Sequence, residues 1–199
     1  MGKARPIGLK RQLAVLFASG VLALACQAQQ SVRTGEPEQG DFSMETEIVP
    51  IKKPVDLPRS ALKALAHDSI VSSCLASQNL PSDQLPAFWF VASEIHLNGP
   101  EEADLIVLPS DLKAPEPMHP APNACFVGPY TVNFWVLRMT QGGCEVALSV
   151  HTHDLGVRKT RSKGYRDIET SISNLNGSTT TLFRFDGKHY KAREAHLTR

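Results

Sequence analysis

The sequence predicts an α+β fold, with short N-terminal helices packed on an antiparallel sheet of about six to eight strands. Three observations predict it. Apolar residues recur at helical spacing only between Asp56 and Leu75. From Ala87 onward the period becomes two, in runs rich in Val, Ile, Phe, Trp and Thr. Asn98-Gly99, Gln141-Gly142-Gly143 and Asp186-Gly187 punctuate those runs as turn signals. Helix first and hairpin-linked strands afterwards favour antiparallel pairing over βαβ units.

Each element has its own reason. Asp56-Leu57-Pro58 opens a helix, with Pro58 suited to a first helical position. Leu62, Leu65 and Ala66 share one face, and Ile70 follows one turn on. Asp68 is placed to cap a second short helix running through Leu75. Asn79–Pro86 reads as a loop. Phe88–Leu97 and Ala103–Leu108 read as paired strands around Asn98-Gly99. Pro109–Pro129 holds six of the chain's 14 prolines, which excludes regular structure. Val132–Thr140 and Cys144–His153 form a second hairpin. Leu155–Thr160 and Asp167–Ser173 are further strands. Thr180–Phe185, Asp186-Gly187 and Lys188–Ala192 form the best-marked hairpin, since Asp-Gly suits a type I′ turn.

Ahead of these elements, Lys3, Arg5, Lys10 and Arg11 make a basic start without acidic residues, and Leu13–Ala25 is almost wholly apolar. That run has the length of a signal-peptide core and is shorter than the ~20 residues that span a bilayer. It closes on Ala23-Leu24-Ala25-Cys26. The segment resembles a bacterial lipoprotein signal, in which small residues precede a cysteine that takes the lipid and becomes the mature N-terminus. Ala23 stands where that pattern usually has Leu, so ordinary cleavage after Ala25 or Ala28 is the alternative. The resemblance implies a signal peptide at 1–25 and lipidation at Cys26. Gln27 in place of Asp implies an outer-membrane location facing the periplasm. Residues 26–54 are polar and without a period, as expected of a tether. The expected domain covers 55–193, and 194–199 is expected to be a frayed tail.

Removing the four basic residues before Cys26 from the 21 Lys and Arg leaves 17 against 20 Asp and Glu, a formal charge of −3. With no basic tail or stripe, nucleic acid is not an expected partner. Export permits disulfides. With Cys26 lipidated, Cys74, Cys125 and Cys144 remain. Cys144 follows a tight turn, and its cross-strand neighbour is Met139 or Thr140. Joining Cys125, in the proline-rich loop, to Cys74 at a helix end is the favoured pairing. Cys125–Cys144 and three free thiols are the alternatives.

Candidate chemistry is sparse. His96-Leu97-Asn98-Gly99-Pro100-Glu101-Glu102-Ala103-Asp104-Leu105 resembles the calcium loop of FG-GAP repeat proteins at Asn98, Gly99 and Asp104-Leu105. His96 and Pro100 stand where the first and third oxygen ligands belong, and calcium needs about 6–8 such ligands. The segment therefore reads as a turn. His151-Thr152-His153-Asp154 is the best metal-capable cluster, because His151 and His153 would share one face of a strand. Zinc needs a third ligand, for which His96 or His189 are candidates. Neither a metal nor any other cofactor is expected.

Gly164-Tyr165-Arg166-Asp167-Ile168 and Phe185-Asp186-Gly187-Lys188-His189-Tyr190, with Phe134-Trp135-Val136-Leu137, resemble a set of bacterial exported proteins across residues 87–193. The resemblance implies a β-rich cell-envelope domain and carries no catalytic residues. The resulting expectation is an envelope lipoprotein acting as a non-enzymatic binding module. Its partners would be the membrane, through the anchor, and an envelope protein or polymer. The proline-rich loop and the strand ends near Trp89 and Trp135 are the first surfaces to consider. The competing expectation is a small metal-dependent hydrolase of envelope polymers built on His151, His153 and Asp154.

Overall fold

The computed structural model describes residues 42–43, 54–100, 103–110 and 123–198. The signal region and Cys26 lie outside the described residues, as does most of the expected tether. Three α-helices, two single-turn 3-10 helices (Ser82–Gln84 and Ala87–Trp89) and nine strands are present among the described residues. Two-residue β1 (Phe42–Ser43) is followed by α1 (Arg59–Ala66) and α2 (Ser69–Ser77), then by β2 (Phe90–Ile95) and β3 (Asp104–Pro109). The short α3 (Asn123–Phe126) precedes β4 (Val132–Thr140), β5 (Gly143–Thr152), β6 (Asp154–Ser162), β7 (Tyr165–Asn174), β8 (Gly177–Phe185) and β9 (Tyr190–Thr198).

The fold is broadly α+β, but two expectations need correction. The strands form two antiparallel sheets, β2-β3-β4-β5 and β6-β7-β8-β9, the second extended at β6 by β1. The helices are also not confined to the N-terminal end. β1 precedes them, and α3 forms inside the region from Pro109 to Pro129 expected to be irregular. Residues 111–122 of that region lie outside the described residues.

Two sheets arise because β3 and β4 are apolar on both faces. All six residues of β3 and the first six of β4 are buried, the pattern of a central rather than a half-solvated sheet. Ile106 and Leu108 of β3 and Phe134 and Val136 of β4 pack with Leu155, Val157, Ile168 and Phe185 of the second sheet. The alternate residues Leu105, Val107, Trp135 and Leu137 pack with Ala61, Leu65, Val71 and Leu75 of the helices. Helices, middle sheet and outer sheet are therefore three layers around two cores. Trp89 and Trp135, expected near a surface, are fully buried in the helix-side core. Phe126 of α3 stacks edge-on against both, with ring centroids 6.1 Å and 5.2 Å away.

The chain changes sheets at one corner. Thr152 pairs with Val132 in the middle sheet, and Asp154 pairs with Ser171 in the outer one. Ordinary local chemistry sets the other ends. Asp68 Oδ1 accepts from the N–H groups of Ile70 and Val71 and so caps α2. Pro58 sits at the N-cap of α1, one position before the site expected for it. Lys163 (φ 51°) and Gly164 (φ 86°) turn β6 into β7, a pair of left-handed residues suited to a two-residue hairpin.

At Asp186-Gly187 the turn is wider than expected, because Phe185 pairs with Tyr190. Asp186 Oδ1 accepts from the N–H groups of Lys188 and His189, so those two residues belong to the loop and β9 starts at Tyr190. The expected frayed end is also corrected, since Glu194–Thr198 continue β9 and pair with Ser178–Leu182 of β8. No helix among the described residues is long and apolar enough to cross a membrane.

Cys74 of α2 and Cys125 of α3 are joined as a disulfide, Cα atoms 5.7 Å apart, across 51 positions of sequence. Loop closure of that length constrains the unfolded chain by about 4 kcal/mol. Cys74→Ala/Cys125→Ala is expected to lose about 2–4 kcal/mol, read as a lower urea midpoint that matches wild type under reducing conditions. A second prediction concerns Tyr190, whose buried hydroxyl donates to the Arg166 carbonyl at 2.7 Å. Tyr190→Phe removes that buried bond and should cost about 1–2 kcal/mol in the same assay.

Candidate functional site

A groove of about 830 Å³ runs between α1, β5 and the β8–β9 hairpin. One wall is a helix face. Ser60, Lys63, Ala64 and His67 line it, at the i, i+3, i+4, i+7 spacing of one stripe, while Ala61 and Leu65 point into the core. A Cβ on Gly143 would lie 3.7 Å from that of Ser60, so α1 starts beside the β4–β5 turn. The opposite wall is Lys188–Lys191, carried by the loop that Asp186 closes and by the first residues of β9. Backbone N–H groups of His189 and Lys188 hold the Asp186 carboxyl below its usual range.

The floor is the unbroken run Gly142–Ser149. Successive strand residues point to opposite faces, so a groove that touches all of them follows the edge of the strand rather than a face. β5 is that edge strand, last in the order β2-β3-β4-β5.

The charges of the groove are unevenly engaged. Glu145 is bound by Arg138 at 2.8 Å, and Asp68 is occupied by the N-terminus of α2. Lys63, Lys188 and Lys191 make no salt bridge among the described residues. His67 donates its Nδ1 proton to the Lys63 carbonyl at 2.7 Å. Cys144, the free thiol among the described residues, is half-buried at one end of the floor. Burial pushes its pKa up to about 11, and the negative charge of Asp104 adds to the shift. The thiol is therefore neutral at physiological pH and lacks the thiolate character of a nucleophile.

The residues singled out by sequence lie elsewhere. The segment His151–Asp154 is the corner between the sheets, so strand alternation stops at Thr152 and the two imidazoles find separate partners. Exposed His151 is bonded through Nε2 to Thr131 Oγ1 at 3.0 Å. His153 is buried, and its Nδ1 accepts from the Ser173 N–H at 2.9 Å. Asp154 Oδ2 accepts from the Ser171 hydroxyl at 2.7 Å, and Thr152 Oγ1 donates to the Ser171 carbonyl at 2.7 Å. These bonds fasten the corner to β7. Among the described residues, no three His, Cys, Asp or Glu side chains are grouped to hold a metal ion.

In the calcium-like segment, Asp104 opens β3 and is buried, accepting from the Met139 N–H at 3.0 Å. Leu97 lends its carbonyl to the Arg166 N–H and to Arg161 Nη1, at 2.8 and 2.9 Å. The segment thus ties one sheet to the other. Sequence reasoning missed the groove. Its one readable trace is the polar stripe Ser60, Lys63, His67 opposite an apolar helix face; its meeting with Lys188 and Lys191 is tertiary.

Cys144 supplies a pH prediction. Iodoacetamide labelling at this residue, followed by peptide mass, should rise with a midpoint near 11 in the native protein and near ~8.5 in urea. A folded-state value above the unfolded one favours the native state at lower pH and is lost as pH climbs through that window. Equal midpoints would contradict the placement of the thiol. Comparison with protein-family models, with curated proteins and with solved structures returns no match.

Proposed function

We propose that the chain is an exported bacterial envelope lipoprotein, anchored through Cys26 in the outer membrane and facing the periplasm, whose folded part is a non-enzymatic binding module. The observation that carries the reading is the order of the first 26 residues: basic start, apolar run, Leu24-Ala25, cysteine. Charge asymmetry of that kind serves export and has no use inside a folded domain. The Cys74–Cys125 pair is consistent with an oxidising compartment. The groove supports binding over covalent chemistry, because its thiol is held neutral and its two carboxylates are already engaged.

Intact mass of the membrane-extracted native protein tests the anchor. The expected species starts at Cys26 and carries a diacylglyceryl group plus one amide-linked acyl chain. Cys26→Ser should lose both additions and leave the membrane fraction. An unmodified soluble chain starting at Cys26 or Gln29 would overturn the anchor and make the protein a free exported domain.

A further inference from the structure

We infer that the groove takes an extended, acidic polypeptide segment of a partner protein, added as a fifth strand along the free edge of β5. The inference rests on the binding-module reading above and names the class of partner. Three features of the groove carry it.

The first is the floor. Gly142–Ser149 line the groove without a gap, so the groove presents the backbone edge of β5. No strand pairs with that edge among the described residues. The other margin of the same sheet is treated differently. At β2, Val55 forms a bridge with Ala92 and its N–H donates to the Ala92 carbonyl at 2.9 Å. One margin is capped by the chain itself at Ala92, and the other opens into a walled channel. An edge strand with unpaired N–H and C=O groups is a template for a further strand, about 4.8 Å away.

The second feature is charge. The ammonium groups of Lys63 on one wall and of Lys188 and Lys191 on the other flank the channel without salt bridges among the described residues. A segment lying between them meets cations on both sides. Glu145 is neutralised by Arg138, which leaves the Asp68 carboxylate, bonded to the α2 N-terminus, against three lysines, so the groove keeps a positive balance. Acidic side chains therefore complement this edge and basic ones do not.

The third feature fixes the register. β4–β5 pairing shifts between Val136 and Leu137, with Val136 opposite Leu148 and Leu137 opposite Val146. Ala147 is thus a bulge, a device that limits open-ended pairing at edges. Regular addition is confined to Gly143–Val146, next to Ser60 and Lys63. The site takes a short segment rather than templating a growing sheet.

The test uses the isotopically labelled full chain and ten-residue peptides of alternating Glu and Val. Controls are the Lys/Val counterpart and two Glu/Val peptides N-methylated on odd or on even residues. The expected result is binding of the Glu/Val peptide with amide shifts at Cys144–Val146. One N-methylation pattern should lose binding and the other keep it, because a paired strand directs alternate N–H groups at its neighbour. Lys63→Glu/Lys188→Glu/Lys191→Glu, all at exposed positions, should weaken the Glu/Val peptide at least about tenfold.

Absence of binding, equal binding of the Lys/Val peptide, equal effects of the two methylation patterns, or shifts confined to β9 would each overturn the inference. A lipidated chain without peptide binding would sink edge pairing alone. An unmodified chain that binds the peptide would sink the anchor alone.

Discussion

Burial of β4 on both faces is the constraint on which the rest of the structure depends. Phe134 and Val136 point to the outer sheet while Trp135 and Leu137 point to the helices, all four fully buried. A strand apolar on both sides cannot be left half-solvated, since each large side chain is worth about 1.5–3 kcal/mol on burial. Two covering layers must therefore exist. The helices supply one, held in place by the Cys74–Cys125 link that brings Phe126 under Trp135. β6–β9 supply the other, reached by a chain that changes sheet within three residues.

Polar groups at the sheet junctions make this arrangement specific. His153, Thr152 and Asp154 each bond to β7 through Ser171 or Ser173. Leu97 gives its carbonyl to two arginine donors from the second sheet. A buried polar group without a partner costs about 1–3 kcal/mol, so these bonds disfavour other packings more than they add net stability. The segments most suggestive of metal binding in the sequence are therefore joints. Imidazole, carboxylate and hydroxyl groups are as useful for fastening a corner as for holding an ion, and sequence spacing alone does not separate the two uses.

What could be read from sequence was local. Turn residues placed the hairpins around Asn98-Gly99, Gln141-Gly142-Gly143 and Asp186-Gly187, because turn chemistry is decided within a few residues. Asp68 marked the start of α2 for the same reason. The split into two sheets was not local. Alternation has period two in either sheet, and the chain switches at His153 without a glycine or proline to mark the change. The unbroken apolar runs at Leu105–Leu108 and Phe134–Leu137 carried a trace of the buried sheet. The end of β9 gave no burial signal, because Glu194–Thr198 are exposed and are held by the backbone ladder to β8. The groove was the least legible feature, as its walls come from positions 60–67, 142–149 and 188–191.

The groove inherits its geometry from both cores. α1 forms its first wall because Ala61 and Leu65 are buried in the helix-side core. The β8–β9 hairpin forms the second because Phe185 and Tyr190, at its base, are buried in the inter-sheet core. Each wall is thus fixed to β4–β5 by apolar packing that no ligand supplies, so the channel is preformed. Preorganisation lowers the ordering cost of binding, which for an extended segment falls mainly on the segment itself. The lysines act differently. They are exposed, their attraction is screened over about 8 Å at physiological salt, and each contributes little on its own. Selectivity for acidic segments and the strength of strand pairing therefore reside in different atoms of one site, side-chain ammonium groups for the first and the β5 backbone for the second.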